Sequence, residues 1–309
     1  MKRPDSLHQG DNIYIVAPSF SMSEDRLDAA CELIRGCGFE PVVGENASRS
    51  CRGYEPELDH YAGTAQQRAA ELVEAFRNPD FKAVICTRGG YGALQLLPFL
   101  PEGLFGENPK WLVGYSDITT LHSASLAEGV MSIHGNMCSS MVSGIDDPSN
   151  ASLIDALCGN IPDYQIPVSD YFVPGHAEGI LVGGNMISLA ALNHSKYDML
   201  SGDDVVLFLE EVGESYHALD RLIRMITTDE CFKNVRGIVF GEFEECRRDL
   251  PYDSAEQMLF EHVESLGIPV CFGFPAGHGD INMPFIEGAE VSFSVDNYGK
   301  SSLKYKDIV

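Results

Sequence analysis

Three short stretches of this chain carry residue types that could together attack a carbonyl. The first is Gly114-Tyr-Ser-Asp117, lodged between the apolar run Trp111-Leu-Val113 and the segment Ile118-Thr-Thr-Leu-His122. That pattern predicts a buried strand, a sharp turn, and a helix opened by Ser116 and Asp117. A serine placed there is exposed at the strand's carboxyl end, and the first helical amides point toward it. Such amides can stabilise the oxyanion that forms when a serine attacks a carbonyl. The same spacing also makes an ordinary helix N-cap. Serine is a weak nucleophile without a base, so the turn alone is not a mechanism.

Nine histidines can supply that base: His8, His60, His122, His134, His176, His194, His217, His262 and His278. His278 stands out in Pro275-Ala-Gly-His-Gly-Asp-Ile-Asn282, after an apolar strand pattern and between two glycines. Such a loop presents an imidazole with few steric limits. His134, at a strand end before Gly135, is the second choice. His122, His217 and His262 fall on helical patterns and read as packing or surface residues. The third stretch is Val205-Val-Leu-Phe-Leu-Glu-Glu211, which places Glu210 directly after a strand, where an orienting carboxylate is best sought. Glu211 and Glu214 compete for that role. With 46 acidic residues in the chain, solvated loop charge is the plain alternative for all three.

Between these stretches lies Arg88-Gly-Gly-Tyr-Gly92, whose glycines permit a tight turn and close backbone approach to a ligand. Gln95 stands where a dinucleotide fingerprint needs its last glycine, and no Walker sequence occurs, so a second oxyanion donor is the better reading. No His-Glu-x-x-His or paired Cys/His spacing is present, which predicts no catalytic metal and no cofactor.

The formal net charge of -25 argues against nucleic acid or an anionic membrane surface as partner. Nine cysteines (Cys31, Cys37, Cys51, Cys86, Cys138, Cys158, Cys231, Cys246, Cys271) show no Cys-x-x-Cys, and several sit in apolar patterns. They suit a reducing cytoplasm better than a disulfide framework. Lys2 and Arg3 have no apolar stretch behind them, which predicts no secretory leader.

The elements that must position these residues alternate strand and helix through the first half. Strands are expected at 12–17, 41–43, 81–86, 111–113 and 130–134. Helices are expected from Ser23, from the capping box Thr64-Ala-Gln-Gln67 and from Ser116. Alternation of this kind implies α/β architecture with a mostly parallel sheet. Pro148, Pro162, Pro167 and Pro174 punctuate residues 144–176, which read as a linker between domains at 1–143 and 177–309. The second half resumes with strands at 179–182, 205–209, 237–240 and 270–272, helices from Ser215 and Ser254, and a terminal hairpin.

Taken in order, Ile15-Val-Ala-Pro18, Arg88-Gly-Gly-Tyr-Gly92, Gly114-Tyr-Ser-Asp117, Gly183-Gly-Asn185, Leu209-Glu-Glu-Val-Gly-Glu214 and Gly277-His278 resemble the LD-carboxypeptidase family. That family includes murein tetrapeptide carboxypeptidases and microcin-immunity peptidases. The resemblance spans nearly the whole chain. It implies a Rossmann-like N-terminal domain and a small β-rich C-terminal barrel with helices. It implies Ser116 as nucleophile, His278 as base, Glu210 as orienter, and the backbone of Gly90 and Asp117 as oxyanion donors. Arg88 and Tyr91 become candidate substrate contacts, with Arg88 either pairing a terminal carboxylate or pinning its loop. The implied activity is cytoplasmic hydrolysis of the L,D-bond to terminal D-alanine in murein tetrapeptides during peptidoglycan recycling, with a homodimer as the possible assembly. Two other readings keep the sequence features: an immunity-type peptidase acting on a peptidyl-nucleotide or acyl-sulfamate, and a small-ligand binder in which Ser116 is only a cap. His217, where related sequences often carry arginine, and His134-Gly-Asn136, where His-Gly-Pro is more usual, are departures that bear on the substrate pocket.

Overall fold

The computed structural model describes residues 1–52 and 60–306, with side chains outside 49–52; the Cys51 side chain therefore lies outside the described residues. The chain divides into two compact units, Met1–Ile161 with Met283–Ile286, and Pro162–Asn282 with Glu287–Val309. Among the described residues no helix is long and apolar enough to cross a membrane.

The first unit is built on strands β1 (Asn12–Val16), β2 (Glu40–Val43), β3 (Phe81–Cys86), β4 (Trp111–Gly114) and β5 (Ser132–His134), flanked at one edge by β11 (Phe285–Glu287). The sheet order is β11-β5-β4-β3-β1-β2, and the pairings from β2 across to β5 are parallel. Parallel strands covered on both faces need near-continuous apolar sequence, and β4 (WLVG) is buried at every position. The helix Ala65–Arg77 starts where the sequence signals it. Thr64 accepts from the Gln67 amide while the Gln67 side chain accepts from the Thr64 amide. The strand order reverses between β1 and β3, so the loops that follow these two strands form the crevice where ligands bind in such sheets. Those loops begin at Ala17 and Thr87, and the Ser116 turn follows the next strand over.

The stretch 144–176 is not a linker. Asp147 caps a helix over Pro148–Leu157 by accepting from the Ser149 amide, and this helix belongs to the first unit. Pro148 occupies the first helical turn, where its missing N–H is no loss, so a residue read as a breaker is a starter. The division falls at 161/162, and β6 (Tyr164–Ile166) already belongs to the second unit's sheet.

That second sheet adds β7 (Gly175–Asn185), β8 (Val205–Val212), β9 (Val235–Glu244), β10 (Val270–Cys271), β12 (Glu290–Val295) and β13 (Ser301–Tyr305), in the order β10-β9-β8-β7-β12-β13-β6. The β10-to-β7 pairings are parallel and those from β7 to β6 antiparallel. Val173 bridges Val270, and the Tyr164 and Phe274 rings pack edge-on at 4.9 Å, so the two ends of the sheet curl toward each other. This is the β-rich body that the resemblance implies. Glu210 stands near the carboxyl end of β8, opposite Asn185 of β7.

One backbone approach in this unit admits only glycine. Gly183 has φ +146°, and a Cβ there would lie 1.9 Å from the Phe208 carbonyl oxygen. Gly183→Ala is expected to lower unfolding stability by about 3 kcal/mol or more through strain and overlap. Urea denaturation of the two proteins measures this; an unchanged midpoint would contradict the packing described.

Candidate active site

In the first unit, Ser116 has φ +63°, an unusual conformation for a side-chain-bearing residue, directly after an extended Tyr115. Strain of this kind persists only where the surroundings over-determine it. Here they do. Gly114 faces the Ile118 side chain, where a Cβ would lie 2.8 Å from it. Buried His122 spans Ser132 Oγ (2.8 Å) and the Gly114 carbonyl (2.9 Å), and burial pushes its pKa down to about 4, so it is a neutral structural imidazole. Gly89 runs against the serine itself: a Cβ there would lie 3.1 Å from Ser116 Cβ and 3.2 Å from its Oγ.

The side chain of Asp117 has a role that sequence reasoning missed. Its buried carboxylate accepts from Ser19 Oγ (2.6 Å) and the Ala93 amide (2.8 Å). It thereby ties the loop after β1, the end of the glycine loop and the Ser116 turn to one point. Burial raises its pKa, against the lowering pull of those two bonds and of Arg68. Arg68, also missed, is buried and donates to the carbonyls of Pro18, Gly63 (3.0 Å) and Gly92 (3.0 Å) and to Gln95 Oε1 (2.6 Å). Only a guanidinium has enough donors in a fixed fork for such a set. Gly90 has φ +104°, and a Cβ there would overlap the Phe20 ring. Arg88 reaches back to the Ser21 carbonyl (3.5 Å) and lies over Phe20, and Tyr91 is exposed.

In the second unit the His278 Nδ1 to Glu210 Oε2 distance is 2.7 Å. Glu210 is fully buried and His278 mostly so. Burial works to lower the His278 pKa, but the Glu210 bond and charge, with Glu211 behind it, raise it above the usual value. The loop is closed by Asn282, whose Oδ1 accepts from the Gly277 amide (3.1 Å). Glu242 of β9 packs on its other side, its backbone amide donating to the Ala276 carbonyl (3.1 Å). Gly277 has φ +136°, and a Cβ there would press on Glu210 and Glu242, while one at Gly279 would push the Glu242 carboxylate aside.

The competing residues are engaged elsewhere. Glu211 is buried, bonded to Asn185 Nδ2 (2.6 Å), the Ile187 amide (2.9 Å) and its neighbour Val212 (3.0 Å), and burial pushes it up to about 7. It anchors the start of the helix Met186–Ala190. Glu214 lies beyond the end of β8, where its backbone carbonyl accepts from the Arg247 amide. His134 is buried and stacked on Phe285 at 4.4 Å, while His217 and His262 face Asp249 and Asp220.

Comparison with known proteins decides the family. Residues 13–135 match the LD-carboxypeptidase N-terminal domain and residues 178–293 its C-terminal domain. The chain belongs to the LD-carboxypeptidase family. It is 32% identical over 298 residues to a putative carboxypeptidase of Streptomyces coelicolor, covering 94% of this chain and 93% of that one. It is also 32% identical over 283 residues to the murein tetrapeptide carboxypeptidase of Pseudomonas aeruginosa, covering 87% and 89%. The crystal structure of muramoyltetrapeptide carboxypeptidase from Oxalobacter formigenes superposes with a TM-score of 0.82 at 27% identity, covering 96% of this chain and 99% of that one. This LD-carboxypeptidase is therefore a peptidase, with one unit holding a strained serine turn and the other a buried Glu–His pair.

Two outcomes follow for this LD-carboxypeptidase. Glu210→Gln removes the charge that raises His278, so the imidazole pKa read by NMR titration should fall. Glu211→Gln should lower it less and instead reduce thermal stability. In the native protein, the Glu210–His278 pair adds stability present in full below the unfolded histidine pKa of about 6.5 and lost as pH rises through the higher folded value. A rise in the His278 pKa of Glu210→Gln would refute the assignment of cause.

Proposed function

We propose that this protein is a serine carboxypeptidase that releases terminal D-alanine from murein tetrapeptides by cutting the L,D-bond, in the cytoplasm, as part of peptidoglycan recycling. The observation that carries the reading is the His278–Glu210 pair. A buried carboxylate on Nδ1 leaves Nε2 as the atom that exchanges a proton with a nucleophile. The 32% identity to a murein tetrapeptide carboxypeptidase supports the substrate class.

In this mechanism Ser116 Oγ attacks the carbonyl of the L-residue while His278 takes its proton. The amides of Gly90 and Asp117 receive the developing oxyanion. His278 then returns the proton to the leaving D-alanine amine, and a water molecule, activated by the same imidazole, hydrolyses the acyl-enzyme. Because the base must be neutral to accept a proton, the raised His278 pKa places the acid limb of activity above that of an ordinary histidine. The substrate's terminal carboxylate needs a cation in a chain of net charge -25, and Arg88 beside the glycine loop fills that role.

Ser116→Ala should abolish D-alanine release, followed by mass spectrometry, while leaving the melting temperature close to native. A purely capping serine would instead lose about 1 kcal/mol of stability and keep activity. Stereochemistry tests the substrate. Exchanging terminal D- for L-alanine swaps methyl and hydrogen and pulls the carboxylate off its partner, so discrimination of about a hundredfold or more is expected. Equal rates on L,L- and L,D-tetrapeptides would overturn the murein reading, and cleavage of a peptidyl-adenylate analogue alone would replace it with the immunity-type one.

A further inference from the structure

At the amino-terminal ends of β8 and β9, away from Glu210 at the other end of β8, two short 3-10 turns face each other. They span Met199–Ser201 and Glu230–Asn234 and are joined by Asn234 Nδ2 donating to the Leu200 carbonyl. Each turn is capped by a buried aspartate: Asp198 accepts from the Leu200 amide (2.9 Å) and Asp229 from the Cys231 amide (2.7 Å). Capping needs only one oxygen of each. Asp198 Oδ2 also accepts from the His194 amide (3.1 Å). Asp229 Oδ2 is fully buried and accepts no hydrogen bond, and it faces His194 Nδ1 at 3.5 Å.

One ligand atom from each of Asp198, Asp229 and Cys231 can be chosen so that all three lie within 4.8 Å of one another. A buried carboxylate oxygen without a donor is expensive unless a cation meets it. The protein's own cation here, His194, is charged only when protonated.

We propose that Asp198, Asp229 and Cys231 form a structural zinc site that staples these two turns, with the exposed ring of His194, 3.5 Å from Asp229 but outside that three-atom cluster, turning in as the fourth donor. The donor chemistry selects the ion. Calcium and magnesium take oxygen ligands, whereas a thiolate, an imidazole and carboxylates together suit zinc. A tetrahedral zinc with bonds of about 2.0–2.3 Å spaces its ligand atoms by about 3.3–3.7 Å, which the 3.5 Å His194–Asp229 separation already matches. Binding deprotonates the Cys231 thiol and releases that proton, and the ion then balances the charges gathered around it. No arrangement like the common zinc spacings marks it in the sequence, because the ligands come from two turns brought together by β8 and β9. All four protein positions would be occupied, so the site is closed and takes no part in peptide hydrolysis.

The test uses the full chain, purified, stripped with a chelator and dialysed against zinc chloride. Elemental analysis should find about one zinc per chain, and the melting temperature should rise on reloading. Cobalt(II) in its place should give the intense visible bands of a tetrahedral site and a thiolate charge-transfer band. Cys231→Ser should lose that band and weaken zinc binding by about 100-fold or more. Asp229→Asn should also weaken binding, and His194→Ala, which removes an exposed ring, should weaken it without any risk to folding. Cys158→Ser, at an exposed cysteine elsewhere, should change nothing. Absence of stoichiometric zinc, or zinc binding that survives both Cys231→Ser and His194→Ala, would overturn the proposal and leave two capping aspartates with no ion between them.

Discussion

The buried carboxylate of Asp117 is the constraint on which the first unit's chemistry depends. It draws Ser19, the end of the glycine loop at Ala93 and the Ser116 turn to a single point. That tether joins the His122 and Gly89 contacts in holding Ser116 at positive φ, since its own short helical turn has no side-chain cap. Arg68 does the complementary work from the helix side. By taking up the carbonyls of Pro18, Gly63 and Gly92 it satisfies backbone groups that the tight loops cannot pair among themselves. A buried carboxylate and a buried guanidinium, both bonded to these loops, thus replace the regular hydrogen bonding that ends where the strands end.

The second unit solves a related problem with two adjacent glutamates. Successive residues of a strand face opposite ways, and the ladder is irregular between Leu209 and Glu211. Glu210 therefore serves His278 while Glu211 serves Asn185 and the next helix. Their environments separate them chemically as well. Glu211, buried and bonded to neutral donors, is held near neutrality in its titration, whereas Glu210 meets an imidazole that can carry the compensating charge. Glu242 and Asn282 then fix the glycine-flanked loop that presents that imidazole. At Asp229 the two oxygens of one carboxylate are divided instead: Oδ1 accepts from the Cys231 amide while Oδ2 is buried without a hydrogen bond.

Much of this is legible in the order of the residues. The alternation of apolar runs with amphipathic stretches announces a parallel sheet, since only strands covered on both faces are apolar throughout, as β4 is. The capping box at Thr64 and the Ser254 cap mark helix starts to the residue, because their hydrogen bonds are local, although Gln257 reaches back to the Asp253 amide rather than to that of Ser254. The glycine-flanked His278 and the strand-end Glu210 are readable for the same reason: each is a local signal of backbone freedom or strand termination. The stretch 144–176 misleads on the same local scale. Pro148 by itself weighs as a breaker, while Asp147 before it makes it a helix start.

What only the tertiary structure decided are the pairings between residues far apart in sequence. Asp117 with Ser19, Arg68 with Pro18, Glu210 with His278, and Asp198 beside Cys231 have no periodicity or motif to reveal them. An acidic chain offers dozens of equivalent carboxylates, and burial alone separates those that hold a loop or orient an imidazole from those that merely meet water. Burial is a property of the packed sheet. The sequence by itself determined which residues could form strands, turns and caps, because those depend on neighbours a few positions away. Which carboxylate met which donor was decided by strand order, which brings distant loops to one sheet edge and strips the water from some of their charges.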